Sequence, residues 1–138
     1  MIYWFTGQPG AGKTTLALAL KKKIGGIHID GDDLRRSLGS KDYSRKGRSH
    51  IIQTAQIMAE WLDSFDVNVL VSVLAPYREM RENFKQRTNV TEIYVHTTEA
   101  RGREKLFADY EPPLESFIDV DTGQSVKVCI DTIVGLPL

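Results

Sequence analysis

The stretch Gly7-Gln8-Pro9-Gly10-Ala11-Gly12-Lys13-Thr14 decides the fold of this 138-residue chain. It has the spacing of a phosphate-binding loop, in which a glycine and four further residues precede Gly-Lys-Thr. An apolar, strand-like segment (2–6) leads into the stretch, and an apolar segment rich in helix formers (15–20) follows it. A strand, a glycine-rich loop and a helix are the context in which this pattern binds a nucleoside triphosphate.

Each part of the loop has a chemical role in this prediction. The glycines let the backbone turn tightly, so that its N–H groups point at phosphate oxygens, and the following helix adds the partial positive charge of its N-terminus. Lys13 is predicted to reach the β- and γ-phosphates, and the Thr14 hydroxyl to bind Mg²⁺. ATP and Mg²⁺ are therefore expected, and the predicted ATP-binding residues are Gly7, Gln8, Pro9, Gly10, Ala11, Gly12, Lys13, Thr14 and Thr15.

Length and composition predict a single soluble domain over residues 1–138. The formal net charge is zero, which argues against a broad nucleic-acid-binding surface. Cys129 is the only cysteine, so no internal disulfide can form, and we expect it to be a buried small residue. No apolar run is long enough to cross a membrane and no signal peptide is visible, so we expect a cytoplasmic protein.

Strand-like and helix-like segments alternate along the whole sequence. The predicted strands are 2–6, 27–30, 67–73, 90–95 and 117–120. After the helix that follows the phosphate loop, the predicted helices are 34–38, 45–65, 79–87, 99–108 and 125–134, with Asp32 or Asp33 as the cap of the first and Ser44 as the cap of the second. This alternation predicts an α/β fold of three layers, the P-loop NTPase fold, with a five-stranded parallel sheet and helices on both faces.

Polar residues that follow the strands are expected to lie together, because ligands bind at the carboxyl ends of parallel strands. Segment 30–35, Asp-Gly-Asp-Asp-Leu-Arg, follows the second strand, whereas segment 74–76 follows the third strand without an acidic residue. This arrangement favours a kinase for a small hydroxylated acceptor over a motor or switch-type nucleotidase. Asp32 is predicted to orient or deprotonate the acceptor hydroxyl and to help hold hydrated Mg²⁺, and Arg35 to pair with an anionic group.

The ordered set of motifs resembles the adenylylsulfate kinase family over nearly the whole chain. Six motifs of the family have counterparts in this chain. They are the Ile-Trp-Phe-Thr-Gly strand at 2–7, Asp-Gly-Asp-Asn-x-Arg at 30–35, the aromatic-Ser pair at 43–44, Ser-Pro-Tyr-Arg at 75–78, Tyr-Glu-x-Pro at 110–113 and Asp-Thr at 121–122. The resemblance implies transfer of the ATP γ-phosphate to the 3′-hydroxyl of adenosine 5′-phosphosulfate, giving its 3′-phosphorylated product, PAPS. Because the family often forms dimers, it also allows a homodimer.

The resemblance implies roles for single residues as well. Lys13 and Asp32 would be catalytic, and Arg35 and Arg48 would grip the phosphosulfate. Tyr43 would stack on the adenine, although a hydrophobic staple at the start of the long helix would explain it equally, and a solvated helix face is the alternative for Arg48. The expected acceptor-binding residues are Asp32, Arg35, Tyr43, Arg48, Leu74 and Ala75, and the expected metal ligands are Thr14 and Asp32.

Four departures from the family pattern leave the acceptor open. Asp33 and Ile51 replace asparagines, and Ala75 replaces the serine before Pro-Tyr-Arg, so transfer is expected to be direct and in line. The family's longer lid, rich in Lys and Gly, is reduced to about 99–109, whose basic residues either neutralise phosphates or form an ordinary charged surface: Arg101, Arg103 and Lys105. The alternatives are a related kinase for a nucleoside, a small metabolite such as a sugar alcohol, or a hydroxymethylated base, and a nucleotide-binding protein without catalysis.

Overall fold

The computed structural model describes residues 1–99 and 109–135, which form a five-stranded sheet between two layers of helices. The strands are β1 (Ile2–Thr6), β2 (Ile27–Asp30), β3 (Val69–Ser72), β4 (Val90–His96) and β5 (Ile118–Asp121). The helices are α1 (Lys13–Ile24), α2 (Gly31–Leu38), α3 (Arg45–Asp63), α4 (Arg78–Arg87) and α5 (Val126–Val134). The predicted α/β class is confirmed, while the predicted charged helix at 99–108 lies almost wholly outside the described residues.

The sheet has the strand order β2-β3-β1-β4-β5, and every neighbouring pair is parallel. Strand β1 lies in the middle, with Ile2 beside Val69 of β3 on one side and beside Val90 of β4 on the other. The carboxyl end of β1, where the phosphate loop begins, therefore lies at the centre of one sheet edge, next to the end of β3.

Apolar side chains on both faces of the sheet hold the layers together. Trp4 and Phe84 pack edge to face on the side of α3 and α4, with ring centroids 5.7 Å apart. On the opposite side, Phe5 packs with residues of α1 and α5, among them Leu16 and the buried Cys129. All four residues of β3 are buried, as predicted for a central parallel strand.

The cap of α2 differs from the prediction. Asp30, rather than Asp32 or Asp33, is the N-cap, and its carboxylate accepts a hydrogen bond of 3.1 Å from the backbone N–H of Asp33. The chain passes from β2 into α2 without a loop, so the last extended residue is the one placed to cap the helix. Ser44 caps α3 as predicted, by accepting from the N–H of Gly47.

Three further structural predictions can be compared with the fold. Helix α3 ends at Asp63, two residues before the predicted end, and β3 is shorter than predicted at both ends. Within the described ranges, no helix has both the length and the apolar character that a membrane span would need.

Candidate active site

A cavity of about 570 Å³ opens at the carboxyl ends of β1, β2 and β3. Its wall is formed by the phosphate loop, by Asp32 and Arg35 of α2, by Arg48 of α3, and by the segment 72–74 at the end of β3. The fold thus brings most of the predicted site residues together around one space.

The phosphate loop is packed tightly against the sheet. Gly7 has a φ of 154°, and a Cβ at this position would lie 2.2 Å from the carbonyl oxygen of Val95, so only glycine fits. The buried Lys13 folds back across the loop, and its Nζ donates to the carbonyl oxygens of Gly7 (2.9 Å) and Gln8 (2.8 Å). The ammonium charge is therefore held at the loop on the cavity wall.

The N-terminus of α1 has the properties of an anion-binding site. Gly12 occupies the cap position, and among the described residues no side chain caps this end and no acidic side chain lies in its first turn. The partial positive charge of the helix and its first N–H groups are thus directed at the loop. This arrangement suits the phosphates of a nucleotide.

Asp30 is a candidate functional residue to which the sequence interpretation gave no role. Its Oδ1 accepts hydrogen bonds from the hydroxyl groups of Thr14 (3.2 Å) and Ser72 (3.3 Å), while its Oδ2 caps α2. Both carboxylate oxygens are thus bound by the protein at the edge of the cavity. The sequence signal was its position as the acid that ends a strand, but its partners come from three other elements.

The oxygen donors at this edge fit Mg²⁺. Among the described residues, no group of three or more His, Cys, Asp or Glu side chains could hold a metal ion by itself. Thr14, Asp30 and Asp32 nevertheless line the same cavity. Because Mg²⁺ usually keeps several waters and takes one or two carboxylates together with substrate phosphates, this donor set suits an ion that binds with a nucleotide.

Arg35 and Tyr43 lie together on the wall of the cavity. Nη1 of Arg35 donates to Oγ of Ser40 (3.3 Å) and to the carbonyl oxygen of Asp42 (2.9 Å), and its guanidinium lies 4.1 Å from the centroid of the Tyr43 ring. Tyr43 is 58% exposed. A hydrophobic staple would pair it with Arg48, the fourth residue of α3, which is not apolar.

Leu74 and Ala75, two predicted acceptor-binding residues that follow β3, have different surroundings. Leu74 lines the cavity, as does Ile51, which is apolar where the resemblance expects an asparagine. Ala75 is fully buried in the core, and its carbonyl oxygen accepts a hydrogen bond of 2.6 Å from Nη1 of Arg81. Ala75 is thus not among the residues that line the cavity, and its contact with the acceptor stays a prediction.

The segment that follows the predicted lid (about 99–109) returns to the end of β1, just before the phosphate loop. The hydroxyl of the buried Tyr110 lies 2.7 Å from Oγ1 of Thr6, the last residue of β1. Burial raises the pKa of Tyr110 to about 12, despite the opposing effect of the nearby Arg81. The predicted lid residues Arg101, Arg103 and Lys105 lie outside the described residues.

The sequence is similar to those of known kinases. The family model described as adenylylsulphate kinase matches residues 1–111. A probable adenylyl-sulfate kinase from Pseudomonas aeruginosa is 39% identical over 137 residues, which cover 94% of this chain and 56% of that protein. Cytidine diphosphoramidate kinase from Campylobacter jejuni is 36% identical over 100 residues, which cover 68% of this chain and 59% of that protein. The chain thus spans little more than half the length of these two relatives.

The fold is also that of solved kinases. The APS kinase from Mycobacterium tuberculosis, solved in complex with AMPPNP and APS, has a TM-score of 0.77 at 19% identity, covering 97% of this chain and 95% of that one. At this identity the likeness concerns the fold alone. Because the family model matches most of the sequence, the chain belongs to the adenylylsulphate kinase family of ATP-dependent P-loop kinases.

Proposed function

We propose that this protein transfers the γ-phosphate of ATP to the 3′-hydroxyl of adenosine 5′-phosphosulfate. One observation carries the proposal: a single cavity is lined by Lys13 of the phosphate loop, by the carboxylates Asp30 and Asp32, and by the guanidinium groups of Arg35 and Arg48. Phosphoryl transfer depends on positioning and on charge stabilisation, and these are the groups that supply both.

Asp30 and Asp32 have different roles in this proposal. Asp30 is bound through both oxygens by Thr14, Ser72 and the N-terminus of α2, so it organises the site rather than receiving the acceptor. Asp32 is exposed at the cavity wall in the first turn of α2. It is the carboxylate proposed to orient the acceptor hydroxyl and to accept its proton.

The transfer itself is proposed to be direct. Ala75 has no hydroxyl group and is buried, so it cannot carry a phosphoryl group between donor and acceptor. The bond from the acceptor oxygen to the γ-phosphorus forms as the bond to the ADP oxygen breaks, and the hydroxyl proton leaves towards Asp32. Lys13 and Mg²⁺ would offset the negative charge of the phosphates, and Arg35 and Arg48 the charge of the phosphosulfate.

A kinase for a different nucleotide acceptor is the second candidate. The apolar Ile51 lines the cavity where the family resemblance expects a polar contact, and one of the relatives is named for a cytidine nucleotide acceptor. The two candidates share the phosphate loop and Asp32, and they differ in what Arg35, Tyr43 and Arg48 would bind.

The decisive experiment offers the purified protein ATP and Mg²⁺ with either adenosine 5′-phosphosulfate or cytidine diphosphoramidate, and measures ADP and the phosphorylated product. We expect product from adenosine 5′-phosphosulfate. Turnover only with the cytidine acceptor would favour the second candidate, and ATP binding without turnover on either would contradict both.

Two substitutions test the assigned chemistry in the same assay. Lys13→Ala and Asp32→Ala should each lower turnover by at least ~10²-fold, which is the usual scale for groups that stabilise charge or move a proton. Asp33→Ala is the matched control, because this exposed acid forms an ion pair with Arg36 of the same helix. Near-normal turnover of Asp32→Ala would show that its assigned role is wrong.

A further inference from the structure

A chain of hydrogen bonds runs from the phosphate loop to the outermost strand β2 and ends at a histidine that the proposed transfer does not use. The hydroxyl of Thr14 and that of Ser72 both donate to Oδ1 of Asp30, and Oγ of Ser72 lies 2.6 Å from Nε2 of His28. His28 and Asp30 are two residues apart on β2, so they share one face of the sheet, and Asp30 is paired with Ser72 of β3.

The number of available hydrogens determines which group donates in each of these hydrogen bonds. Ser72 has one hydroxyl hydrogen, and that hydrogen goes to the Asp30 carboxylate, which can only accept. Nε2 of His28 must therefore carry a hydrogen and donate it to the Ser72 oxygen. In a neutral imidazole this leaves Nδ1 without a hydrogen.

We propose that His28 is a positioning residue of the active site, which acts through Ser72 on the carboxylate of Asp30. The inference rests on the proposed kinase function. The donated hydrogen bond occupies one side of the Ser72 oxygen and keeps the hydroxyl hydrogen directed at Oδ1. Oδ1 then faces Thr14 while Oδ2 caps α2, so both carboxylate oxygens of Asp30 are held in one orientation.

This orientation links the two halves of the site. Thr14 belongs to the half that is proposed to hold Mg²⁺ and the ATP phosphates, and α2 carries Asp32 and Arg35 of the acceptor half. If the Asp30 carboxylate rotates, its bonds to Thr14 and to the N-terminus of α2 change together. Loss of the His28 hydrogen bond should therefore lower kcat more than it changes the KM for either substrate.

A double-mutant cycle between His28 and Ser72 tests the proposal. We expect His28→Leu and Ser72→Ala each to lower kcat by about three- to tenfold, the scale of one hydrogen bond, and the double variant to be no slower than Ser72→Ala alone. His28→Gln, which keeps a donor group, should recover part of the loss and serves as a second variant if His28→Leu folds poorly. His50→Leu, an exposed position on α3, is the matched control.

A second readout needs neither substrate nor turnover. The ¹⁵N chemical shifts of the imidazole ring, assigned by comparison with His28→Gln among the three histidines of the chain, report which nitrogen carries the hydrogen. We expect the Nε2–H form of His28 in the wild-type protein and a loss of this preference in Ser72→Ala.

The outcomes separate this inference from the proposed function. Independent, multiplying effects of the two substitutions, unchanged kcat in both His28 variants, or an Nδ1–H tautomer would each overturn the positioning role. If the wild-type protein phosphorylates no acceptor, the proposed function fails, and the tautomer of His28 still decides whether the hydrogen-bond chain exists.

Discussion

Arg35 is held in its place by the protein before an acceptor binds. Its guanidinium donates to Ser40 and to the Asp42 carbonyl, and it lies over the ring of Tyr43. A side chain that is already ordered loses less conformational entropy on binding than a mobile one. Arg35 is therefore suited to recognise an anionic group on the acceptor.

Arg35→Ala should act mainly on acceptor binding. We expect the KM for the acceptor to rise by about 10- to 100-fold, since a hydrogen bond to a charged group contributes more than a neutral one, and the KM for ATP to change by less than about threefold. Steady-state kinetics with each substrate varied in turn would measure both. Arg36→Ala, on the exposed side of the same helix, is the control, and a larger effect on ATP than on the acceptor would refute the assignment.

At the scale of elements, the start of α3 depends on a close contact between Gly47 and the preceding loop. A Cβ at position 47 would lie 2.3 Å from the carbonyl oxygen of Asp42, which is the same oxygen that accepts from Arg35. The glycine thus lets the loop pass close to the helix and places a carbonyl where Arg35 needs it.

Gly47→Ala should consequently disturb the acceptor side of the site. An unhindered Gly-to-Ala change inside a helix stabilises a protein by up to ~1 kcal/mol, but here we expect no gain or a net loss in the free energy of unfolding, because the loop must move. The KM for the acceptor should rise several-fold at the same time. Urea denaturation and kinetics would test this, with Ser49→Ala as the control, and a stabilisation near 1 kcal/mol with normal kinetics would contradict it.

Helix α4 is tied to the sheet by a buried group of charges. Glu92 of β4 accepts from Nε of Arg81 (3.0 Å) and from Nζ of Lys85 (2.6 Å), and the side chains of Arg81 and Glu92 are only 3% and 2% exposed. Arg81 also donates to the carbonyl oxygens of Ala75 and Glu111. These bonds hold the segment after β3 and the segment around Glu111 against α4.

Glu92→Gln should destabilise the protein by about 3–5 kcal/mol, because it leaves the buried Arg81 without its carboxylate partner, whereas Lys85 keeps its ion pair with Glu82. Glu60→Gln removes a partly exposed partner of Arg87 and should cost less than about 1 kcal/mol. Urea unfolding of the two variants side by side would measure the difference. If Glu92→Gln costs as little stability as Glu60→Gln, other groups must stabilise the buried charge of Arg81 in place of Glu92.

At the scale of the whole molecule, stability should fall at alkaline pH because of Tyr110. Its pKa is about 12 in the folded protein, against an ordinary value of 10.0, so between these values the unfolded state loses the phenolic proton and the folded state keeps it. The unfolded state then binds fewer protons, and the free energy of unfolding decreases by up to ~1.4 kcal/mol per pH unit.

Tyr110→Phe should lack the part of the alkaline decrease in the free energy of unfolding that comes from the Tyr110 hydroxyl. The variant should be less stable than the wild type at neutral pH, where the hydrogen bond to Thr6 is lost, and the difference should shrink as the pH rises from 10 towards 12. Urea unfolding at several pH values would show it, with the exposed Tyr43→Phe as control. A constant difference over this range would argue against the raised pKa.

The sequence predicted the parts of this molecule that depend on neighbouring residues. The glycine spacing predicted the phosphate loop, and apolar runs predicted five strands. The contacts of Asp30 were missed because Thr14 and Ser72 reach it from other elements. The burial of Ala75 was missed because its neighbours in the core come from distant parts of the chain. A homodimer, the cytoplasmic location and the lid residues stay predictions.

The central place of β1 has a consequence for biosynthesis. Ile2 has its two sheet neighbours at Val69 and Val90, so a chain leaving the ribosome carries β1 without either neighbour until β3 and then β4 emerge. Strand pairs between segments that are distant in sequence form slowly. Until they form, their apolar surface is exposed and the chain can aggregate. We expect fragments that end before β4 to show little ordered structure by circular dichroism, and nascent chains of that length to need chaperones.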